Sequence, residues 1–471
     1  MTIEELSRGI AESRFSCEEL TLACLQAIAA NDHNGRNLST VSELDPNALF
    51  HARAIDAEIR KNGRKSALHG VPVLIKDNID VKDLHTCAGS YALHDLIAAE
   101  DAPLVKKLRD AGALILGKTN LSEFAYFMST DNMPNGYSSM GGQVIHAYDP
   151  AYDCSGSSSG SAVAVSARFV PYAIGTETDG SLMSPAAANS IVSIKPTVGL
   201  VSRSGIVPIS HVQDTAGPMA NCVEDLAQVL TVIAGYDEDD PATYNSQIKD
   251  YMSVLKAGCS GLKIGILANP KDELSAEALQ NAKEILEKAG AEVCDVAIET
   301  VELDEMNAMI HEFRHGIDLY LSKHSSACRS LQDVVNFNKA HAGRCLVHGQ
   351  DILEKALAVS GHLYETDDLE DRRKLREEAR ELLEGTLKKY NIDMILSAGK
   401  RPVGNLAPVS GNPCLSLPAR SVSETPYRPL NFYMMAGPYC EDILLRTAYT
   451  LEQQLQAECR PSFAKELMEE D

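Results

Sequence analysis

Three short segments set polar residues directly against apolar ones: Gly70-Val-Pro-Val-Leu-Ile-Lys76-Asp-Asn-Ile-Asp80, Cys154-Ser-Gly-Ser-Ser-Ser-Gly-Ser161 and Gly175-Thr-Glu-Thr-Asp-Gly-Ser181. Lys76 closes an apolar run, so its stem is predicted to be buried, and burial lowers an ammonium pKa by penalising the charged form. A neutral lysine can serve as a base; the plainer reading is a lysine paired with Asp77 or Asp80 at a strand end. Ser155 to Ser161 reads as a Gly/Ser loop before a run of small residues, Ala162 to Ala167, suited to a closely packed helix, or simply as a turn and helix cap. Ser181 follows Asp179-Gly180 just after the apolar run Val170 to Ile174. A tight turn there can present a hydroxyl together with consecutive backbone N–H groups, which bind an oxyanion, although Asp-Gly-Ser is also an ordinary turn. A serine hydroxyl is a poor nucleophile at neutral pH unless a base takes its proton, and the only histidines in or beside these segments are His69 and His85.

The elements that must position these residues follow from the hydropathy pattern. Short apolar runs at Val71–Ile75, Ala113–Leu116, Val170–Ile174, Val192–Ile194, Leu262–Leu267 and Met394–Leu396 alternate with helical stretches, which predicts an α/β fold with one large sheet covered by helices on both faces. The clearest unit runs from Leu262 to Ile298: a strand, an Asn269-Pro270 turn, a helix over Ala276–Ala289 and a second strand, a βαβ crossover that requires parallel strands. Residues 1–60 read as an outer helical layer, with Glu4, Glu5, Glu18 and Glu19 near helix starts. Residues 66–300 and 391–460 supply the α/β core of a single domain. The strand-poor residues 300–390 read as a helical insertion shaping the substrate pocket, and the charged stretch Glu365–Glu384 as its solvated face.

Composition narrows the function classes. A chain of 471 residues, 44% hydrophobic and 23% charged, buries a substantial core, which excludes disordered, collagen-like and small disulfide-scaffold classes. At about 150 residues per domain the length allows three domains, and one large α/β domain fits equally well. The net charge of −23 repels phosphate backbones and anionic lipids, and no local basic patch offsets it, so neither nucleic acid nor membrane is an expected partner. The residues Met1-Thr-Ile-Glu-Glu5 lack a signal-peptide pattern, no apolar run approaches 18 residues, and the twelve cysteines form no C-x-x-C pair; a cytoplasmic protein with reduced thiols is expected.

Two further motifs compete. Gly156-Ser-Ser158-Ser-Gly160 satisfies G-x-S-x-G, but a nucleophile elbow needs a strand before it, and Ala147–Asp153 is polar and broken by proline. His311-Glu-Phe-Arg-His315 satisfies H-E-x-x-H. Here Met306, Met309, Ile310, Phe313, Ile317 and Tyr320 define the apolar face of the helix, turning both histidines outward, and no third ligand lies close in sequence. No metal site is expected.

Taken together, the three segments resemble the amidase signature family of serine hydrolases. The resemblance extends over Leu68–Asn78, Gly117-Lys-Thr-Asn-Leu-Ser-Glu-Phe124, Ser155–Pro185, Ile194–Arg203, Gly205–Ser210 and Asp214-Thr-Ala-Gly-Pro218, the N-terminal helices and the closing helix near Leu444–Gln453; residues 300–390 match least. Glu177-Thr-Asp-Gly-Ser181 with Ser155–Ser161 before it is most similar to the peptide amidase branch. The resemblance implies the amidase signature fold, with a large mixed, twisted sheet. It also implies a Ser/cis-Ser/Lys triad of Ser181 as nucleophile, Ser157 as bridging serine behind a cis Gly156–Ser157 peptide, and Lys76 as base. The oxyanion donors would be the N–H groups of Thr178, Asp179, Gly180 and Ser181, with Ser158 in support and no cofactor. Substrate contacts are expected from Met133, Tyr137 and Met183.

Departures from the family pattern fall at Asn189-Ser190-Ile-Val-Ser193, where relatives often carry Asn-Gly-x-x-Gly, and at Met140 and Met183 on the acyl side. The expected activity is hydrolysis of a carboxamide, in a small molecule or a peptide, by a monomer or homodimer through an acyl-enzyme. The alternative is that the chain supplies ammonia from glutamine as one component of a tRNA-dependent amidotransferase. Such components typically carry Asp-Thr-Gly-Gly-Ser-Ile-Arg where this chain has Glu177-Thr-Asp-Gly-Ser-Leu-Met183.

Overall fold

The strands of one mixed sheet are distributed along most of the chain: β1 (Val41–Leu44), β2 (Pro72–Lys76), β3 (Leu114–Thr119), β4 (Tyr172–Glu177), β5 (Val192–Lys195), β6 (Thr215–Ala220), β7 (Lys263–Leu267), β8 (Glu292–Val296), β9 (Met394–Ala398), β10 (Cys414–Pro418) and β11 (Asn431–Ala436). The computed structural model describes residues 1–468 other than 269, 299–302, 364–365, 401–402, 423–425 and 458, and only the backbone at 366–368. Three features of the sequence reading, Asn269, Glu365 and the boundary at 300, therefore lie outside the described residues. The spatial order is β1-β3-β2-β4-β6-β5-β10-β11-β9-β7-β8. β2 runs parallel to both β3 and β4, while β6, β5, β10 and β11 pair antiparallel in turn.

Every residue of β2, β3, β4 and β6 is buried, the pattern of strands covered on both faces. The crossover read from Leu262 to Ile298 is present: β7 and β8 pair in parallel, joined by the helix Glu273–Lys288. β8 closes the sheet edge, and its residues are accordingly mostly exposed or half-buried.

The expectation that residues 3–60 are wholly helical is corrected by β1, which pairs antiparallel with β3. Val-Ser-Glu-Leu lacks an apolar run, and its place is fixed from outside itself. The buried Asp32 carboxylate accepts from the N–H groups of Thr40 and Val41 at 2.7 and 3.1 Å, pinning the entry to the strand. Around β1 the helices Ile3–Ala11 and Cys17–Asn31 each begin with a reciprocal cap, Thr2 with Glu5 and Ser16 with Glu19. β6 also escaped the pattern, because Thr-Ala-Gly-Pro-Met-Ala is small-residue rich and contains proline. A Cβ at Gly217 would lie 2.2 Å from Ile194 O, so the close approach of β5 demands glycine.

Between Met306 and Tyr390 the described elements are helices alone. Five of the six residues assigned to the apolar face of Met306–Lys323 are buried, the exception being Met306 at the first turn. They join a second apolar cluster with Phe124, Phe127, Met133, Leu331 and Val335, separate from the main core that runs from Ile3 through the sheet to Leu467. On the long helix Thr366–Tyr390, exposed pairs such as Arg373–Glu377 (2.7 Å) fit a solvated face, while Arg372 turns inward to Glu312 at 3.4 Å.

The fold brings the C-terminal ends of two adjacent parallel strands, Lys76 on β2 and Glu177 on β4, to one edge, where α/β sheets characteristically bind ligands. The helix Ser159–Ser166, buried throughout, packs across β2, β3, β4 and β6 and carries the Gly/Ser loop to that edge. Gly160 permits this approach: a Cβ there would stand 2.3 Å from Asn120 O and 2.5 Å from Thr40 O. Gly160→Ala is expected to destabilise the protein by about 1–3 kcal/mol, as overpacking against backbone does. Thermal unfolding checks this against Gly385→Ala, whose added Cβ meets nothing within 4 Å; equal midpoints for the two variants would contradict it.

Candidate active site

Lys76 is fully buried at the end of β2, and its amine is surrounded by hydroxyl and backbone carbonyl oxygens rather than by carboxylates. Nζ donates to Ser157 Oγ (2.9 Å), Ser158 Oγ (2.9 Å), Thr176 Oγ1 (2.8 Å) and the Thr176 carbonyl (3.3 Å). Burial pulls its pKa down to about 7, against the opposing charges of Glu177 and Asp214. The strand-end pairing of Lys76 with Asp77 or Asp80 is not what forms. Asp77 lies 3.6 Å from a second buried lysine, Lys118, and Asp80 accepts from Tyr320 Oη (2.6 Å) and His324 Nε2 (2.9 Å).

The Gly156–Ser157 peptide is cis. Ser157 sits just before the buried helix, with its carbonyl accepting from Ser122 N–H at 3.1 Å. Ser158 is the N-cap residue, and its hydroxyl donates to the Thr176 carbonyl at 3.0 Å, crossing to β4. No strand precedes it, so the G-x-S-x-G elbow reading has no support in the backbone. The two loops meet where Ser158 N–H donates to the Ser181 carbonyl at 3.3 Å.

Ser181 ends a turn made by Thr178, Asp179 and Gly180, with Gly180 in the left-handed region at φ +75°. Beyond it the helix Met183–Ala188 starts with its first N–H groups on Glu177: Leu182 and Met183 donate to Glu177 Oε2 at 2.7 and 3.0 Å. A buried carboxylate thus holds the turn from behind. On its flanks Thr178 Oγ1 donates to Asp214 Oδ1 and Lys400 Nζ to Asp179 Oδ1, both at 2.5 Å. Asp214 is half-buried, and desolvation of its carboxyl pushes it up to about 6.

The three residues expected to contact substrate separate. Met183 lines a cavity of about 450 Å³ with Ser155, Ser184, Lys400 and Phe432. Met133 is buried in the second apolar cluster, its carbonyl accepting from Tyr126 Oη at 2.7 Å, and half-buried Tyr137 packs on the same cluster with its ring 4.6 Å from His348. His311 and His315 are half-buried; His315 Nδ1 lies 3.2 Å from Gly361 O, and Glu312 between them is buried against Ser210 and Arg372. Ser190, at the departure from the family pattern, adopts φ +52°, with its hydroxyl 3.1 Å from Tyr427 Oη.

Thr176, Glu177 and Lys400 carried no assigned role in the sequence. The first two lie inside a segment singled out for its serine, and their signal was proximity alone. Lys400 lies far along the chain and had none.

The chain matches the amidase family model over residues 19–409. It is 36% identical over 439 residues to a probable amidase of Arabidopsis thaliana, covering 89% of this chain and 83% of that one. To one component of the glutamyl-tRNA(Gln) amidotransferase of Pseudomonas fluorescens it is 38% identical over 305 residues, covering 63% and 61%. The native peptide amidase of Stenotrophomonas maltophilia superposes with a TM-score of 0.92 at 38% identity over 99% of both chains. The chain belongs to the amidase family, the amidase signature hydrolases that its three polar segments resemble.

Glu177→Ala leaves two buried N–H groups without an acceptor, at about 1–3 kcal/mol each. It is expected to lower the thermal midpoint clearly, whereas Glu177→Gln, which keeps an acceptor oxygen, retains most of it. Wild-type stability in the alanine variant would refute this role.

Proposed function

We propose that the chain is a free-standing amidase that cleaves a carboxamide to a carboxylate and ammonia or an amine through Ser181, Ser157 and Lys76. Family membership makes it an amide-hydrolysing enzyme; the residue roles and the substrate class are the proposal. One observation carries it: a fully buried amine, held near pKa 7, lies 2.9 Å from the Ser157 hydroxyl. A neutral amine has two N–H groups and one lone pair. With Thr176 and Ser158 oxygens to receive the N–H groups, the lone pair can accept from Ser157.

In the proposed reaction Lys76 takes the Ser157 proton as Ser157 takes that of Ser181, and Ser181 Oγ attacks the amide carbon. The N–H groups of Thr178, Asp179, Gly180 and Ser181 receive the oxyanion. In support, the N–H groups of Asp179, Gly180 and Ser181 have no acceptor among the described residues. The relay reverses to protonate the leaving nitrogen, and water then hydrolyses the acyl-enzyme. Ser158 supports the relay through its bonds to Lys76 and Thr176.

C-terminal peptide amides and small aryl or alkyl amides are the candidate substrates. The likeness to a peptide amidase, 38% identical over 99% of the chain, favours this over a role within an amidotransferase complex, whose Pseudomonas fluorescens component matches in sequence over 63% of it. We read the chain as one domain with residues 300–390 as an insertion shaping the substrate pocket, acting as monomer or homodimer. Cytoplasmic residence is supported by twelve cysteines without a disulfide among the described residues; no described helix is long and apolar enough to cross a membrane.

A panel of dipeptide amides, simple amides and glutamine, assayed with the purified chain in chelator, tests the reading. Ser181→Ala is expected to abolish turnover; persistent turnover refutes the assignment. Because Lys76 must lose its proton to accept one, kcat/KM is expected to be low below pH 7 and to rise through about 7. Lys76→Ala is expected to lower kcat by roughly 10²–10⁴ and remove that limb, and His311→Ala to remain active; an unchanged pH profile in Lys76→Ala contradicts the base assignment.

A further inference from the structure

The turn that would hold an oxyanion contains an aspartate. Asp179 lies two residues before Ser181, so its carboxylate is tethered within a few bonds of the N–H groups assigned to the developing negative charge. An anion there opposes an oxyanion, and more strongly in a site shielded from water, where Coulomb interactions are less screened.

The surroundings are also rich in acids. Glu305 is buried, accepting from Gln213 Nε2 at 2.7 Å, and the same Nε2 lies 3.4 Å from the Thr178 carbonyl. Asp214 holds Thr178 from the other side. Burial raises both carboxyls, that of Glu305 further through the charge of Asp179, so each is less readily ionised than a carboxyl in water. Asp179 is half-buried, and its partner is Lys400 at 2.5 Å. The ammonium is not merely nearby: a Cβ at Gly180 would lie 2.6 Å from Lys400 Nζ, so the positive charge is seated against the backbone of the turn. Burial works against the charge on Lys400, but Asp179, Glu177 and Glu305 together hold its pKa above the ordinary lysine value.

We propose that Lys400 is a positioning residue that acts through Asp179, neutralising the carboxylate in the nucleophile turn so that an oxyanion can form beside it. The inference rests on the assignment of Ser181 as nucleophile. It separates two lysines by their charge: Lys76 works uncharged as a base, and Lys400 works charged as a counter-ion.

Kinetics on the full chain test it. Lys400→Met is expected to lower kcat by roughly 10- to 100-fold, up to the lower end of what one oxyanion donor is worth, with KM changed far less. Lys400→Gln, which keeps a hydrogen-bond donor for Asp179 but no charge, is expected to lose as much and guards against misfolding of the methionine variant; Lys400→Arg is expected to retain most of kcat. Adding Asp179→Asn to either uncharged variant removes the unbalanced anion and is expected to recover at least a third of the lost logarithm of kcat. A purely structural ion pair gives no such recovery. Wild-type kcat in both uncharged variants, or a double variant no better than its parent, overturns the proposal. Labelling of wild-type Ser181 by a fluorophosphonate is the control. Without it the nucleophile assignment fails, whereas labelling with no charge dependence at Lys400 sinks this inference alone.

Discussion

An amine sealed at the end of a buried strand cannot easily remain charged, and the rest of the site is arranged around that fact. Lys76 has no carboxylate in contact to stabilise its ammonium; its neighbours are three hydroxyls and a carbonyl. Glu177 and Asp214 act only through their field and do not restore the ordinary lysine pKa. Were Asp77 in contact with Lys76, the amine would be held protonated and useless as a base. Instead Asp77 is drawn to Lys118, which also donates to His85 O at 2.7 Å. The neighbouring lysine thereby keeps the carboxylate from Lys76.

Three pieces of chain far apart in sequence must meet for this to work, and the sheet sets their distances. β2 and β4 are neighbours in parallel register, which puts Lys76 beside Thr176. The helix Ser159–Ser166 crosses them because its small residues and Gly160 let backbone meet backbone. Glu177 links β4 to the helix after Ser181 through two N–H groups. Each serine loop is thus anchored at a strand end and a helix start, elements more rigid than the loops themselves.

Much of this was legible from residue order. The apolar run ending in Lys76 gave both the strand and the buried amine, and the small residues after Ser161 gave the helix. The parallel pair β7 and β8 followed from its crossover. β10 and β11, Cys-Leu-Ser-Leu-Pro and Asn-Phe-Tyr-Met-Met-Ala, were missed although both are rich in apolar residues; the other missed elements lack a local signal. β1 has no apolar run and is placed by Asp32 and by pairing with β3. β6 carries Gly217 and Pro218, which argue against a strand until the approach of Ile194 is known. Likewise Glu177 depends on which backbone N–H groups the fold leaves for it, and Lys400 on meeting Asp179 from far along the chain, both tertiary properties. Met133 and Tyr137, expected to shape the pocket together with Met183, join the apolar cluster formed by the helices of residues 306–390, whereas Met183 lines a cavity with Ser155, Ser184 and Lys400.

The central claim concerns one proton on one nitrogen, and it can be observed without substrate. In protein labelled with 13C at lysine Cε, the Lys76 resonance is identified by its absence from Lys76→Met, and its shift is followed against pH. A midpoint near 7 is expected, far below that of an exposed lysine. A midpoint near 10, the ordinary lysine value, would mean that the amine stays charged at neutral pH and that the relay through Ser157 has no base.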